Sequence, residues 1–140
     1  MGRPNAVAID GPAGAGKTTV GAALAERLGY LFFDTGAIYR AATLAALRAG
    51  IPIEDEKAVT RTAETVEIDV VPPTVADGRP NTVLLDGEDV TWALRSSSVD
   101  ANVSLVSAYP GVRRALLEQQ RRVVRRGQVV AVGRDIGTVI

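Results

Sequence analysis

The sequence predicts an α/β fold in which a parallel β-sheet is flanked by helices. A short apolar run, Ala6–Asp10, has the length of a buried strand and leads directly into a glycine-rich segment. Apolar residues then recur at helical spacing over Lys17–Leu28, and a second apolar run at residues 30–33 is followed by another helical pattern. Strand, loop, helix, strand and helix in this order form βαβ units, which build parallel sheets.

A β-rich insert is predicted in the middle of the chain. It follows a helix at residues 37–49, which ends at Gly50, and a third helix at residues 54–64. β-favouring residues then occur at residues 66–71, at Thr82–Leu85 and in a short strand around Val90, separated by Pro-Pro and Asp-Gly turns. We therefore expect a small antiparallel sheet inserted into the α/β chain.

The remaining elements complete a single predicted domain. Helical patterning returns at residues 99–108 and 112–126, and a further strand is expected at residues 128–132. A chain of 140 residues has the size of one domain. Its predicted core comprises about residues 1–65 and 96–140, and the insert about residues 66–95.

Composition limits the chemistry that this chain can perform. It has no cysteine and no histidine, which excludes disulfides, thiolate chemistry and the usual general base near neutral pH. Sixteen basic and sixteen acidic residues cancel, so no net charge favours nucleic acid or an anionic membrane. No run of 18 apolar residues or signal-peptide pattern occurs, and we expect a cytoplasmic protein.

The glycine-rich segment between the first strand and the first helix matches the P-loop pattern, in which four residues separate a glycine from Gly-Lys-Thr. Glycines allow successive backbone N–H groups to point inward at phosphate oxygens, and the following helix adds the positive end of its dipole. Lys17 is expected to reach the β- and γ-phosphates, and the Thr18 hydroxyl to bind Mg²⁺. The alternative is a strand–helix turn without a ligand. The predicted nucleotide-binding residues are Gly11, Pro12, Ala13, Gly14, Ala15, Gly16, Lys17, Thr18 and Thr19.

A second candidate segment follows the second predicted strand, with the sequence Asp34-Thr35-Gly36-Ala37-Ile38-Tyr39-Arg40. Open α/β sheets bind ligands at the carboxyl ends of their strands. Arg40 is placed one turn into the next helix, where its planar guanidinium can make two hydrogen bonds to a phosphate. Taken alone, Arg40 would more often be a solvated helix arginine.

Several motifs in one order resemble bacterial cytidylate kinases. They are the P-loop stretch from Ile9 to Lys17, the segment from Asp34 to Arg40, the Leu85-Asp86-Gly87-Glu88-Asp89-Val90 and Tyr109-Pro110-Gly111-Val112-Arg113 stretches, and Gly133-Arg134-Asp135-Ile136-Gly137-Thr138-Val139. The resemblance covers the whole chain. It implies a P-loop nucleoside-monophosphate-kinase-like fold, with the β insert in the monophosphate-binding region. It also implies transfer of the γ-phosphate of ATP to CMP or dCMP, with Mg²⁺ as cofactor, by a monomeric enzyme.

The resemblance also implies a role for individual residues. Lys17 and Arg134 would be catalytic, with Arg40 and Arg134 holding the acceptor phosphate. Thr18 would bind the metal ion. The implied contacts to the cytosine and the sugar are made by Thr35, Arg113 and Asp135 for the base and by Ser104 for the sugar.

Two departures from the family pattern leave alternatives open. The family usually has an acidic residue immediately before Gly-Arg-Asp, and here that position is Val132. Family chains also continue past the position of Ile140 with a further strand, helices and an arginine-bearing lid, so we expect a truncated chain with reduced turnover. The alternatives are another small-molecule P-loop kinase, of the adenylate or shikimate type, and a nucleotide-binding fragment without significant turnover. Nucleic-acid binding through the arginines of residues 113–126 is a further alternative, although such a run more often forms a solvated helix face.

Overall fold

Six strands, five α-helices and one 3₁₀ helix make up the part of the chain that the computed structural model describes, residues 6–10 and 17–133. The predicted α/β class is confirmed. In chain order the elements are β1 (Ala6–Asp10), α1 (Lys17–Leu28), β2 (Leu31–Asp34), α2 (Gly36–Arg48), α3 (Glu56–Thr65), β3 (Ile68–Val71), β4 (Thr82–Leu85), β5 (Glu88–Asp89), the 3₁₀ helix (Ala93–Arg95), α4 (Ser97–Ala108), α5 (Pro110–Arg125) and β6 (Val129–Gly133).

The main sheet is parallel, as the βαβ pattern predicts, and has the strand order β1-β6-β2. The last strand in sequence therefore lies between the first two. Asp10 is aligned with Gly133, and Asp34 with Val132. The carboxyl ends of all three strands consequently lie along one edge of the sheet.

The insert forms the predicted antiparallel sheet, with the order β3-β4-β5. Asp86 and Gly87 connect β4 to β5, and both have positive φ, 49° and 85°. A two-residue hairpin turn with two positive φ angles matches the twist of the strands, which explains the Asp-Gly pair. The third strand is Glu88–Asp89, and Val90 follows it with one more hydrogen bond, from its N–H to the carbonyl of Val83 at 2.9 Å.

Capping side chains set several helix boundaries that periodicity predicts less accurately. α3 begins after Asp55, whose Oδ1 accepts from the Ala58 N–H at 3.1 Å. α4 begins after Ser96, whose hydroxyl accepts from the Val99 N–H at 3.3 Å. α5 begins at Pro110, because proline lacks the N–H that would be unpaired in a first helical turn. The 3₁₀ helix was not predicted.

The core lies on both faces of the main sheet, and β6 contributes to each face because strand side chains alternate. Val130 and Val132 pack in a cluster with Ala25 of α1 and Phe32 of β2. Val129 and Ala131 belong to the larger cluster on the opposite face, which also includes residues of α2, α3, α4, α5, β3 and β4. The insert therefore shares its core with the helices.

Helix α1 lies very close to β6 at Gly21. A Cβ at this position would lie 2.4 Å from Cγ2 of Val132, much closer than atoms tolerate. Val132 itself is fully buried. Val132 therefore packs between β6 and α1, the helix that follows the P-loop segment. This is the position at which the family that the sequence resembles usually has an acidic residue.

Asn81 fastens the insert to the outer edge of the main sheet. The backbone N–H groups of Leu31 and Thr35 donate to the carbonyls of Gln128, just before β6, and of Val132. The carbonyl of Phe32 therefore points to the opposite edge of β2. Nδ2 of the buried Asn81 donates to that carbonyl at 2.7 Å. The side chain thus replaces a missing strand neighbour and fixes the insert beside the end of β2.

Within residues 6–10 and 17–133, none of the helices is long and apolar enough to cross a lipid bilayer.

Candidate active site

Three segments predicted from the sequence to bind ligands leave the main sheet at the same edge. β1 ends at Asp10, before residues 11–16; β2 ends at Asp34, before Thr35; and β6 ends at Gly133, before Arg134. The parallel register brings these three strand ends side by side. Ligand sites in open α/β sheets lie at this edge.

Part of the predicted site lies outside the described residues. This applies to Gly11, Pro12, Ala13, Gly14, Ala15, Gly16, Arg134 and Asp135, and to the side chains of Lys17 and Thr18. Lys17 is the first residue of α1, and Thr19 is exposed in the first turn of that helix. The predicted roles of these residues in nucleotide and metal binding stay predictions.

A cavity of about 440 Å³ opens beside the carboxyl end of β2. Its walls come from β2, α2, the insert, the 3₁₀ helix and α4. It is lined by Phe32, Asp34, Gly36, Ala37, Arg40, Pro80, Asn81, Val83, Thr91, Leu94, Arg95 and Asp100. We call it the acceptor pocket, because it contains the segment that the sequence predicts to bind the acceptor phosphate.

Arg40 lies in the wall of the acceptor pocket and is held there by two partners. Its Nη1 donates to the carbonyl of Leu94 at 3.1 Å and forms an ion pair with Asp100. The side chain keeps 36% of its surface exposed. A half-exposed guanidinium beside a cavity can bind an incoming anion, which is the role predicted for Arg40.

The beginning of α2 forms the floor of the pocket near β2. Oδ1 of Asp34 accepts from the N–H of Gly36 at 2.9 Å, which occupies one of the two carboxylate oxygens. Thr35 between them is buried, and its N–H donates to the carbonyl of Val132 at 2.9 Å. The backbone hydrogen bonds of this turn therefore tie α2 to the ends of both β2 and β6.

Of the described residues predicted to contact the base or the sugar, Thr35, Ser104 and Arg113, none lines the pocket. Ser104 is exposed on α4, one turn after Asp100, so both residues project from the same face of the helix. Arg113 is exposed in the first turn of α5. Their predicted contacts to sugar and base stay predictions.

A buried arginine in the insert is a feature that the sequence reasoning missed. The Arg79 side chain is only 5% exposed and makes a two-point contact with Asp77, from Nε to Oδ1 and from Nη2 to Oδ2, both at 2.9 Å. Its Nη1 also donates to Oδ2 of Asp89 at 2.6 Å and to the hydroxyls of Thr82 and Thr91, at 3.1 and 3.3 Å. One guanidinium thus links the turn before β4, β4 itself and the end of β5. In the sequence, Asp77-Gly78-Arg79 shows only a turn.

The ion pairs of Arg79 strongly favour the charged forms of both carboxylates. Hydrogen bonds from Arg79 and then from Thr91 lower the pKa of Asp89 from 3.8 to about 2. The same arginine, together with Trp92, holds the pKa of Asp77 well below its usual range. A lowered pKa in the folded state stabilises the protein above the ordinary pKa, and this contribution is lost as the pH falls towards the folded value.

Replacing Arg79 by methionine is therefore expected to lower the free energy of unfolding at pH 7. The free energy of unfolding of this variant should also depend less on pH in the acidic range. In the wild type, the urea midpoint should fall as the pH decreases from about 4 towards about 2, because Asp77 and Asp89 then bind protons. In Arg79→Met this fall should be smaller. Unfolding can be followed by the fluorescence of Trp92, the one tryptophan in the sequence. Arg48→Met, which removes an exposed arginine paired with Glu88, is the control and should keep the wild-type acid dependence. If the urea midpoint fell equally with decreasing pH in the wild type and in Arg79→Met, the proposed effect of Arg79 on the two carboxylates would be wrong.

Comparisons with known proteins identify the family of the chain. The family model described as cytidylate kinase matches residues 7–140. A cytidylate kinase from Chloroflexus aggregans is 58% identical over 137 residues, which cover 98% of this chain and 60% of the relative. Cytidylate kinases from Herpetosiphon aurantiacus and Symbiobacterium thermophilum are 50% and 53% identical, with 100% and 96% of this chain covered and 61% and 58% of the relatives. This chain spans about 60% of the length of these curated relatives. From its motifs, its sheet and these similarities, the chain belongs to the cytidylate kinase family.

Proposed function

We propose that this chain binds ATP and CMP or dCMP and transfers the γ-phosphate of ATP to the monophosphate, giving ADP and CDP or dCDP. The observation that carries the proposal is the acceptor pocket, which holds Arg40 and lies at the sheet edge from which the P-loop segment leaves. A donor bound at the P-loop and an acceptor bound in this pocket would meet at that edge. The relatives carry the name cytidylate kinase, which supports CMP as the acceptor.

The proposed reaction suits a chain without histidine. The nucleophile is an oxygen of the acceptor phosphate, whose second pKa is about 6, so it is largely ionised at neutral pH without a general base. The main barrier is the approach of two anions. Arg40 in the pocket, with Lys17 and Arg134 as predicted partners, would neutralise this charge and align the oxygen for attack.

Magnesium is proposed as the cofactor, with the hydroxyl of Thr18 as its ligand. When bound, the ion would neutralise charge on the donor phosphates. Val132 cannot hold the water shell of a metal ion, because its side chain is aliphatic and buried. Asp34, two residues before Gly36 at the same edge, has one carboxylate oxygen engaged by the Gly36 N–H. We propose that its second oxygen binds the water shell from the β2 side of the site. Among residues 6–10 and 17–133 there is no cluster of three or more acidic side chains suited to a metal.

The proposal is tested by a panel of monophosphates. Calorimetry should show that the chain binds CMP and dCMP at least about tenfold more tightly than UMP, because a site built for an amine leaves polar groups unpaired against the carbonyl of uracil. AMP should also bind more weakly than CMP, because its purine is larger than the cytosine ring. Asp135→Ala and Arg113→Ala should narrow the preference for CMP over UMP. A preference for AMP would instead support an adenylate-type kinase.

A coupled assay of ADP formation with ATP and CMP separates the kinase from a nucleotide-binding fragment. CMP-dependent ADP formation is the expected result, whereas binding without it would support the fragment. The proposal also includes a monomeric, cytoplasmic protein whose partners are nucleotides and not nucleic acid or membrane.

A further inference from the structure

We propose that Arg95 is a second phosphate-binding residue of the acceptor pocket and that the ring of Trp92 holds it in position. This inference rests on the proposed function, since it concerns the acceptor of the same reaction. Arg95 was not among the residues that the sequence identified. It is the last residue of the 3₁₀ helix and lines the pocket together with Arg40.

Without Arg95, the charged residues that line the pocket carry no net positive charge with which to bind a phosphate. Four charged residues line it: Asp34, Arg40, Arg95 and Asp100. Arg40 and Asp100 form an ion pair, so their charges largely cancel each other. A monophosphate brings up to two negative charges. Arg95 has no carboxylate partner among the described residues, so its charge is available to an anion.

Trp92 provides a platform for the Arg95 side chain. The guanidinium carbon of Arg95 lies 5.1 Å from the centre of the Trp92 ring, within the range of a cation–π contact. The indole Nε1 of Trp92 donates to Oδ2 of Asp77 at 2.8 Å. Asp77 is in turn held by the two-point contact with Arg79. The buried ion-pair cluster of the insert therefore orients the ring, and the ring orients Arg95.

The two pocket arginines are also joined through the backbone. Arg40 donates to the carbonyl of Leu94, the residue immediately before Arg95. Their side chains thus come from elements far apart in sequence and line the same cavity. Each guanidinium group can make charge-assisted hydrogen bonds to the oxygens of a phosphate monoester.

The test compares CMP with cytidine, which has the same base and sugar but no phosphate. Calorimetry on Arg95→Gln should show CMP binding weakened by about tenfold or more, with cytidine binding unchanged within about twofold. Arg95→Lys should retain part of the CMP affinity, since it keeps the charge but loses the planar donor pair. Arg48→Gln, which removes the same charge from an exposed arginine, is the matched control and should bind both ligands like the wild type.

Tryptophan fluorescence provides a second measurement. If Arg95 had only a structural role, CMP and cytidine would have the same effect on this fluorescence. Because Arg95 lies over Trp92, the binding of a phosphate to Arg95 should change the emission of this tryptophan with CMP but not with cytidine. The CMP-dependent change should be absent in Arg95→Gln. The inference is overturned if Arg95→Gln keeps the wild-type ratio of CMP to cytidine affinity, or if it weakens both ligands equally. If the wild type binds neither CMP nor cytidine, the proposed function itself fails, and the inference fails with it.

Discussion

Replacing Lys17 by alanine is expected to slow phosphoryl transfer at least about a thousandfold while CMP affinity stays within about twofold of the wild type. Lys17 is the first residue of α1, directly after the P-loop segment, and its predicted contact is with the β- and γ-phosphates of the donor. The acceptor pocket is built from other elements, between α2, the insert and α4. Loss of the lysine should therefore weaken the stabilisation of negative charge on the donor phosphates during transfer. It should not change the binding of the acceptor.

The measurement for Lys17→Ala is single-turnover ADP formation, with CMP affinity determined separately by calorimetry. The chain has only one other lysine, Lys57 in α3, which is exposed. Lys57→Ala is therefore the natural control and should leave both quantities unchanged. A loss of CMP affinity in Lys17→Ala as large as its loss in rate would argue against separate donor and acceptor subsites.

Replacing Arg40 by methionine is expected to weaken CMP binding by about tenfold to a hundredfold, with ATP binding unchanged. Two effects act in the same direction. The variant loses a donor to the acceptor phosphate, and it leaves the carboxylate of Asp100 without its partner, so that this carboxylate repels the phosphate. The double variant Arg40→Met/Asp100→Asn removes the repulsion and should therefore recover part of the affinity.

A thermodynamic cycle of the two single variants and the double variant separates these effects. Calorimetric titrations with CMP provide the four affinities. Arg48→Met serves as the control, because Arg48 lies on the same helix but pairs with Glu88. The role of Arg40 would be refuted by CMP affinity in Arg40→Met equal to that in Arg48→Met.

Local patterns in the sequence were enough to predict most of the elements. The run Ala6–Asp10, the helix Lys17–Leu28 and the strand Thr82–Leu85 have the bounds that periodicity predicts. Short-range physics determines such elements, because apolar spacing, turn residues and the glycine at a helix end act within a few positions. The boundaries that shifted, as at α4 and α5, depend on a capping serine or a first-turn proline.

The motifs that carry the family resemblance were also readable in the sequence, because phosphate binding needs a particular order of residues along one loop. The sequence predicted that Arg40 binds the acceptor phosphate, and in the structure Arg40 lines a cavity. Roles that depend on side chains far apart could not be read in this way. The roles of Thr35, Ser104 and Arg113 stay predictions, since none of them lines that cavity.

The way in which distant segments meet could be seen only in the folded chain. The position of β6 between β1 and β2 brings the three strand ends together, and no local pattern encodes this order. Likewise, the sequence around Arg79 indicates only a turn, whereas in the folded chain Arg79 contacts Asp89 and Thr91. The contact between Arg95 and the ring of Trp92 is also seen only in the structure. Most of the elements and the motifs predicted to bind phosphate could be recognised from the sequence, because they depend on neighbouring residues. The pocket and its charge balance arise from contacts between segments more than 50 residues apart, such as Arg40 with Leu94 and Asp100, and these exist only in the folded chain.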